Sequence, residues 1–283
     1  MGTRIWLQSK TDLAKLPGYV SILTDHAKTI CGPDTVVDLH GVAPGTFPAG
    51  TSPNEAARYN WLGELTTQQI VENVMRAERE GYDAFAMSCF GDPGVHEARS
   101  LVDIPVIGSF ESSFKIATIT GQAIGVLSLN AAGVRRSHER IRAFGFQHTV
   151  AAVMAMDPPM NEYELDAAFK GSPTFLELFS VQAARLVAAG ADVIIPAEGV
   201  INTLLVRNGI REIDGTPIFD SYGSVLAFAE MLVQLRRKSG LAVARRGIYA
   251  RPPAELLRHV RGVTIEALRA AQDETAAAAR KDN

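Results

Sequence analysis

Cysteine is nearly absent from this sequence, and that scarcity is the first constraint. Two cysteines, Cys31 and Cys89, in 283 residues argue against a disulfide framework and leave a thiol available for chemistry in a reducing compartment. A charge excess is missing too. Lys and Arg number 28 against 31 Asp and Glu, a net charge of −3, and the basic residues are scattered, so no nucleic-acid partner is expected. No stretch approaches the ~18 to 20 apolar residues that span a bilayer, so no membrane partner is expected either. The opening Met1-Gly2-Thr3-Arg4 lacks the charged, then apolar, then small layout of a secretory signal. The expected location is the cytoplasm. His96, His138, His148 and His259 show no metal-ligand spacing and join no Cys/His cluster, so no metal is expected. Gly121-Gln-Ala-Ile-Gly125 precedes a strand pattern instead of following one. That excludes a dinucleotide fingerprint; there is no P-loop, and no cofactor is expected.

What is present suffices for a sizeable core, since 47% of the residues are hydrophobic. Short apolar runs predict strands at Arg4–Gln8, Thr35–His40, Ala84–Ser88, Val106–Ser109, Ile124–Leu129, Thr149–Met154, Val193–Pro196 and Ile218–Asp220. Helical spacing predicts helices at Thr67–Glu80, Phe175–Ala189 and around Ala254–Ala271, with an Ala-rich tail beyond that frays. Such alternation implies βαβ units and a largely parallel sheet, with sites outside the carboxyl ends of the strands.

An internal repeat organises the chain. Gly81-Tyr-Asp83-Ala-Phe-Ala-Met-Ser-Cys89 aligns without a gap on Gly190-Ala-Asp192-Val-Ile-Ile-Pro-Ala-Glu198. Each copy then reaches a Pro and an apolar run ending in Ser: Pro105 to Ser109, and Pro217 to Ser221. The expected fold is α/β, two similar parallel-sheet halves related by a pseudo-two-fold axis with the active site at the seam. The halves are residues 1–118, with a loop insertion at 41–66, and 119–240. Residues 241–283 form a C-terminal helix and tail, whose need for a covering surface suggests a homo-oligomer. Residues 156–174 read as a second long loop.

Register places Cys89 and Glu198 at equivalent strand ends, facing each other across the seam. Cys89 lies in a glycine-containing turn before a helical pattern at His96-Glu97-Ala98-Arg99. A helix N-terminus there would favour thiolate; the alternative is an inert buried thiol. Glu198 reads either as an acid/base group or as a cap on the next helix. A thiol and a carboxyl on opposite faces of a carbon acid form a two-base machine. Gln8, Ser9, Ser88, Phe90, Gly91, Ser128, Asn130 and Gly199 are candidate substrate contacts from their strand-end positions, with capping and turn formation the alternative for Ser128 and Asn130. His40 is a further candidate at the second strand's end, against the commoner role of a structural hydrogen-bonder.

The run Asp83-Ala-Phe-Ala-Met-Ser-Cys89-Phe-Gly-Asp-Pro-Gly94, followed by Pro105-Val-Ile-Gly108 and Glu111, resembles the hydantoin racemase branch of the aspartate/glutamate racemase superfamily, to which allantoin racemases are close. The second half continues the likeness at Gly190-Ala-Asp192-Val-Ile-Ile, so the resemblance spans Arg4 to about Gly240. It implies cofactor-free proton removal and return by two cysteines, one per half. Cys89 matches the first. Glu198 stands where the second belongs, and Gln8 and Ser9 stand where the family has Asn and Thr contacts to substrate. The resemblance implies a racemase or isomerase acting at the carbon acid of a small cyclic amide or carboxylate, hydantoin-like. A Cys-dependent hydrolase or decarboxylase at the same site, and a non-catalytic small-molecule binding domain, remain open at this point.

Overall fold

The computed structural model describes residues 2–160, 165–169 and 173–279. Two parallel sheets carry the fold. The first contains β1 (Thr3–Gln8), β2 (Thr35–His40), β3 (Ala84–Met87) and β4 (Val106–Gly108), in the order β2-β1-β3-β4. The second contains β5 (Ile124–Ser128), β6 (Val150–Ala155) and β7 (Val193–Pro196), in the order β6-β5-β7. A single parallel bridge, Ile194 to Ile218, extends it at the position matching β4. The two sheets therefore have the same strand order, as the repeat requires. The central strands β3 and β7 are buried along their whole length, which is why they read as unbroken apolar runs.

The helices are α1 (Pro17–Ile30), α2 (Pro53–Ala56), α3 (Asn60–Arg79), α4 (Val95–Arg99), α5 (Ser109–Thr120), α6 (Ala131–Phe144), α7 (Asp166–Phe169), α8 (Thr174–Ala188), α9 (Gly199–Arg207), α10 (Ser221–Ser239) and α11 (Ala254–Ala279). A small hairpin, β8 (Glu212–Ile213) with β9 (Thr216–Pro217), lies between α9 and α10.

The repeated Gly-X-Asp has a physical origin. Gly81 and Gly190 adopt φ of 78° and 95° just past α3 and α8, a left-handed turn that a side chain would oppose. The aspartate two residues on then accepts a backbone N–H at the start of the neighbouring strand. Asp83 takes Arg4 N–H at 2.9 Å, and Asp192 takes Ala123 N–H at 2.9 Å. Each motif thus stops a helix and starts a strand in register.

Each half lends its last helix to the other. On one face of β1 and β3, Ile5, Leu7, Ala84 and Ala86 share a core with Tyr222, Val225, Leu226 and Ala229 of α10. On the equivalent face of β5 and β7, Ile124, Val126, Val193 and Ile195 share a core with Phe110, Phe114 and Ala117 of α5. The opposite faces are covered from within each half, by α3 over Trp6, Phe85 and Met87 and by α8 over Leu127 and Ile194. α5 and α10 also pack on each other, and the Ser109 hydroxyl reaches the Ser221 carbonyl at 3.5 Å. Asp220 caps α10 through Gly223 N–H at 2.8 Å and pairs with buried His26 of α1 at 2.6 Å.

Four expectations need correction. α3 begins at Asn60, not Thr67; its first turns carry Trp61 and Leu62, which are exposed. The 41–66 segment accordingly contains α2 and the start of α3. The Ile218–Asp220 strand is reduced to one bridge. Its approach is taken up by the β8–β9 hairpin, which turns through Asp214 and Gly215 at φ 48° and 73°. α11 continues to Ala279, since an alanine run propagates helix without needing burial. Of the second expected loop, residues 161–164 and 170–172 lie outside the described residues.

Residues 1–243 form one compact unit and residues 244–283 another. The latter consists of a short turn at Gly247–Tyr249 and α11, whose Leu256, Val260 and Val263 are exposed. Among the described residues, no helix is long and apolar enough to cross a membrane, and no group of three or more His, Cys, Asp or Glu could hold a metal ion.

Candidate active site

A cleft of about 420 Å³ opens at the carboxyl ends of β1, β3 and β7, with a smaller cavity of about 50 Å³ beside it. Cys89 and Glu198 line both. Cys89 follows β3 and Glu198 follows β7, so the equivalence read from the repeat brings them to one site. The halves touch closely here. A Cβ on Gly199 would lie 3.4 Å from the Ser88 carbonyl oxygen and 3.5 Å from the Tyr19 hydroxyl.

The Cys89 thiol is raised above its ordinary value of 9.0. Burial is the largest cause, and the Glu198 and Asp92 carboxylates push the same way; the Lys10 ammonium and the Gly91 N–H oppose them. Of the two readings, that direction favours the buried thiol over the thiolate. α4 starts at Val95 and has only five residues, and the pull of the Gly91 amide on the thiol is outweighed by desolvation. Iodoacetamide labelling of Cys89, followed by peptide mass spectrometry, is expected to be slow at pH 7 and to climb through and beyond pH 9. Rapid labelling below pH 8 would mean that thiolate is already present. Cys31 serves as an internal comparison, because burial and the Glu230 charge push its thiol up to about 12.

Glu198 is the N-cap of α9 by position, yet its side chain makes no capping hydrogen bond. Its Oε1 lies beside the first turn of α6, where a Cβ on Gly133 would come within 3.7 Å. Capping therefore does not account for this carboxylate.

The Cys89 loop is anchored by Asp92, a residue that pattern reading passed over. Asp92 is buried at φ 45°. Its two carboxyl oxygens accept Phe110 N–H at 3.0 Å and Glu111 N–H at 2.9 Å, capping α5. Burial raises this carboxyl to about 7, against the pull of those two amides and of Arg140. Gly108 makes the contact possible, since a Cβ there would fall 2.1 Å from Asp92 Oδ2. Glu111 then pairs with Arg99 of α4 at 2.5 Å. The run from Cys89 to Glu111 is thus largely a device that holds the thiol in place.

Of the other candidates, Phe90 and Gly91 line the larger cleft, and Ser9, Ser88 and Gly199 line the smaller cavity. Four stand elsewhere. Gln8 is wholly buried, its amide accepting from Trp6 at 2.9 Å and Asn73 at 3.1 Å and donating to Ser9 at 2.7 Å. His40 stacks on Trp6 with ring centroids 3.4 Å apart. Ser128 is wholly buried, with its hydroxyl 3.4 Å from that of Ser137. Asn130 caps α6 through Gly133 N–H at 3.1 Å. Gln8, Ser128 and Asn130 thus spend polar groups on protein partners, and His40 its ring face on Trp6; none of the four lines either cavity. Sequence reasoning missed Lys10 in both cavities, Tyr19 in the smaller one, and, in the larger one, Asn54 of α2, Arg58 in the turn before α3, and Arg136 and Arg140 of α6. Only the period of α6, which places Arg136 and Arg140 four residues apart on one face, carried a signal.

Comparison with known proteins agrees with this architecture. Residues 22–223 match the family described as Asp/Glu/Hydantoin racemase. A hydantoin racemase from Pseudomonas sp. (strain NS671) is 26% identical over 176 residues, covering 62% of this chain and 68% of the relative. One from Paenarthrobacter aurescens is 25% identical over 217 residues, covering 75% and 87%. Among solved structures, the allantoin racemase from Klebsiella pneumoniae superposes with a TM-score of 0.72 at 23% identity, covering 89% of this chain and 94% of that one. The chain belongs to the Asp/Glu/hydantoin racemase family and is a racemase of that superfamily.

Proposed function

We propose that this enzyme inverts a carbon acid in a small cyclic amide of the hydantoin or allantoin type, using Cys89 and Glu198 as unequal acid/base partners without a cofactor. The observation that carries this is their shared cleft: a thiol and a carboxylate delivered from equivalent strand ends of two equivalent sheets. The names of the relatives supply the substrate class. With the thiol protonated at rest, Cys89 enters as the acid and Glu198 as the base for one enantiomer. The roles reverse for the other, and the proton lost from one face is replaced on the opposite face. A resting thiol is a poor nucleophile, which favours proton transfer over a hydrolytic acyl-enzyme route. The free thiol suits a reducing cytoplasm, and association of copies through the 244–283 unit is part of the same proposal.

The test is incubation in heavy water with single enantiomers of 5-substituted hydantoins and of allantoin, following the α-proton by NMR and inversion by polarimetry. Exchange accompanied by inversion is the expected result. Exchange without inversion would leave a one-base enzyme. New product signals would replace the proposal with hydrolysis or decarboxylation, and silence across the panel would remove it.

A further inference from the structure

The larger cleft carries more positive charge than a neutral ring requires. Lys10, Arg58, Arg135, Arg136 and Arg140 line it, against Glu64, Glu139 and Glu198. Arg136 and Arg140 are half-buried and sit four residues apart on α6, where like charges on one helix face repel. Among the described residues, none of Lys10, Arg58, Arg136 and Arg140 forms an ion pair. Asp92, the carboxyl whose ionisation Arg140 favours, is itself held up to about 7 by burial, so it neutralises Arg140 only in part at neutral pH. Arg136 is oriented by a neutral acceptor, its Nη2 donating to Asn54 Oδ1 at 2.9 Å across the cleft mouth from α2. That bond fixes the guanidinium without cancelling its charge, and leaves the rest of a planar fork of donors suited to a carboxylate. A concave site with unbalanced positive charge concentrates anions.

We infer that the substrate carries a carboxylate on the substituent remote from the reacting carbon, bound by Arg136 with support from Arg140 and Arg58. The inference rests on the carbon-acid reading of the same cleft. It narrows the substrate class from cyclic amides in general to those bearing an acidic side chain.

The experiment compares 5-(2-carboxyethyl)hydantoin with its amide, 5-(2-carbamoylethyl)hydantoin, which match in shape and differ in charge. Binding is measured by calorimetry on the Cys89→Ser protein, and α-proton exchange on the wild type. The acid is expected to bind on the order of 10-fold tighter than the amide, the range of one charge-assisted contact. Arg136→Gln should bring that ratio close to one, Arg136→Lys should keep part of it, and added salt should shrink it. Equal binding of acid and amide, or a preference that survives Arg136→Gln, overturns the inference. The two proposals fail separately. Preferential binding of the acid with no exchange of either compound keeps the anion site and removes the carbon-acid reading. Exchange of both compounds at equal kcat/KM does the reverse, and neither binding nor exchange removes both.

Discussion

Cys89→Ser is expected to slow α-proton exchange by about 10³-fold, within the 10² to 10⁴ span that a positioned acid/base group contributes, while the protein stays folded. The substitution is nearly isosteric and leaves the Gly91 N–H with an acceptor, so the loop anchored by Asp92 keeps its shape. What changes is acidity: a hydroxyl in that place gives up its proton far less readily than even a thiol raised by burial. The effect should fall on kcat more than on KM, because the group acts on the reacting proton and not on ground-state binding. Circular dichroism and the melting temperature provide the control. Exchange within a few-fold of wild type would take Cys89 out of the chemistry.

Glu198→Gln should be comparably damaging to inversion, about 10³-fold, with a different signature. Cys89 remains, so as pH rises and thiolate forms, the variant should exchange the α-proton of the enantiomer that faces the sulfur, and return deuterium to the same side. Glu198→Cys is the informative companion. It places a second thiol in the cleft, the arrangement that the family resemblance implies, and should recover inversion relative to the Gln variant. A thiol so placed would meet the same desolvation that raises Cys89, so its rate should rise with pH through and beyond pH 9. Heavy-water exchange from each pure enantiomer, followed across pH 6 to 10, reads all of this. Inversion that persists unchanged in Glu198→Gln would mean that the second proton comes from elsewhere in the cleft, with Lys10 the first group to examine.

Much of this was legible in the residues because the fold is written twice. Gly81-Tyr-Asp83 and Gly190-Ala-Asp192 do the same two jobs at the same register, so Cys89 and Glu198 could be matched before any coordinates. Central strands buried on both faces were visible as apolar runs. Elements whose formation depends on distant contacts were not. The first turns of α3 carry exposed Trp61 and Leu62 after a Pro- and Gly-rich run, and the β8–β9 hairpin is too short to show alternation. The site was legible only at strand ends. Gln8, His40, Ser128 and Asn130 have the right positions in sequence, but their side chains satisfy groups inside the protein. Arg136 and Asn54 meet from segments 82 residues apart, and no local pattern encodes that pairing. The acidity of Cys89 was left open between thiolate and buried thiol for a related reason: a dipole can be guessed from the next helix, whereas desolvation depends on everything packed around the sulfur.

The exchange of α5 and α10 between the sheets makes the two halves a single interlocked body. A hinge that swung one half away from the other would strip a helix from each sheet and uncover two apolar faces at once. The cleft therefore cannot admit substrate by opening like a clam. A chain severed between the halves would yield two pieces, each lacking the cover that only its counterpart carries. Such pieces are halves of a split enzyme that finds its shape only in reunion.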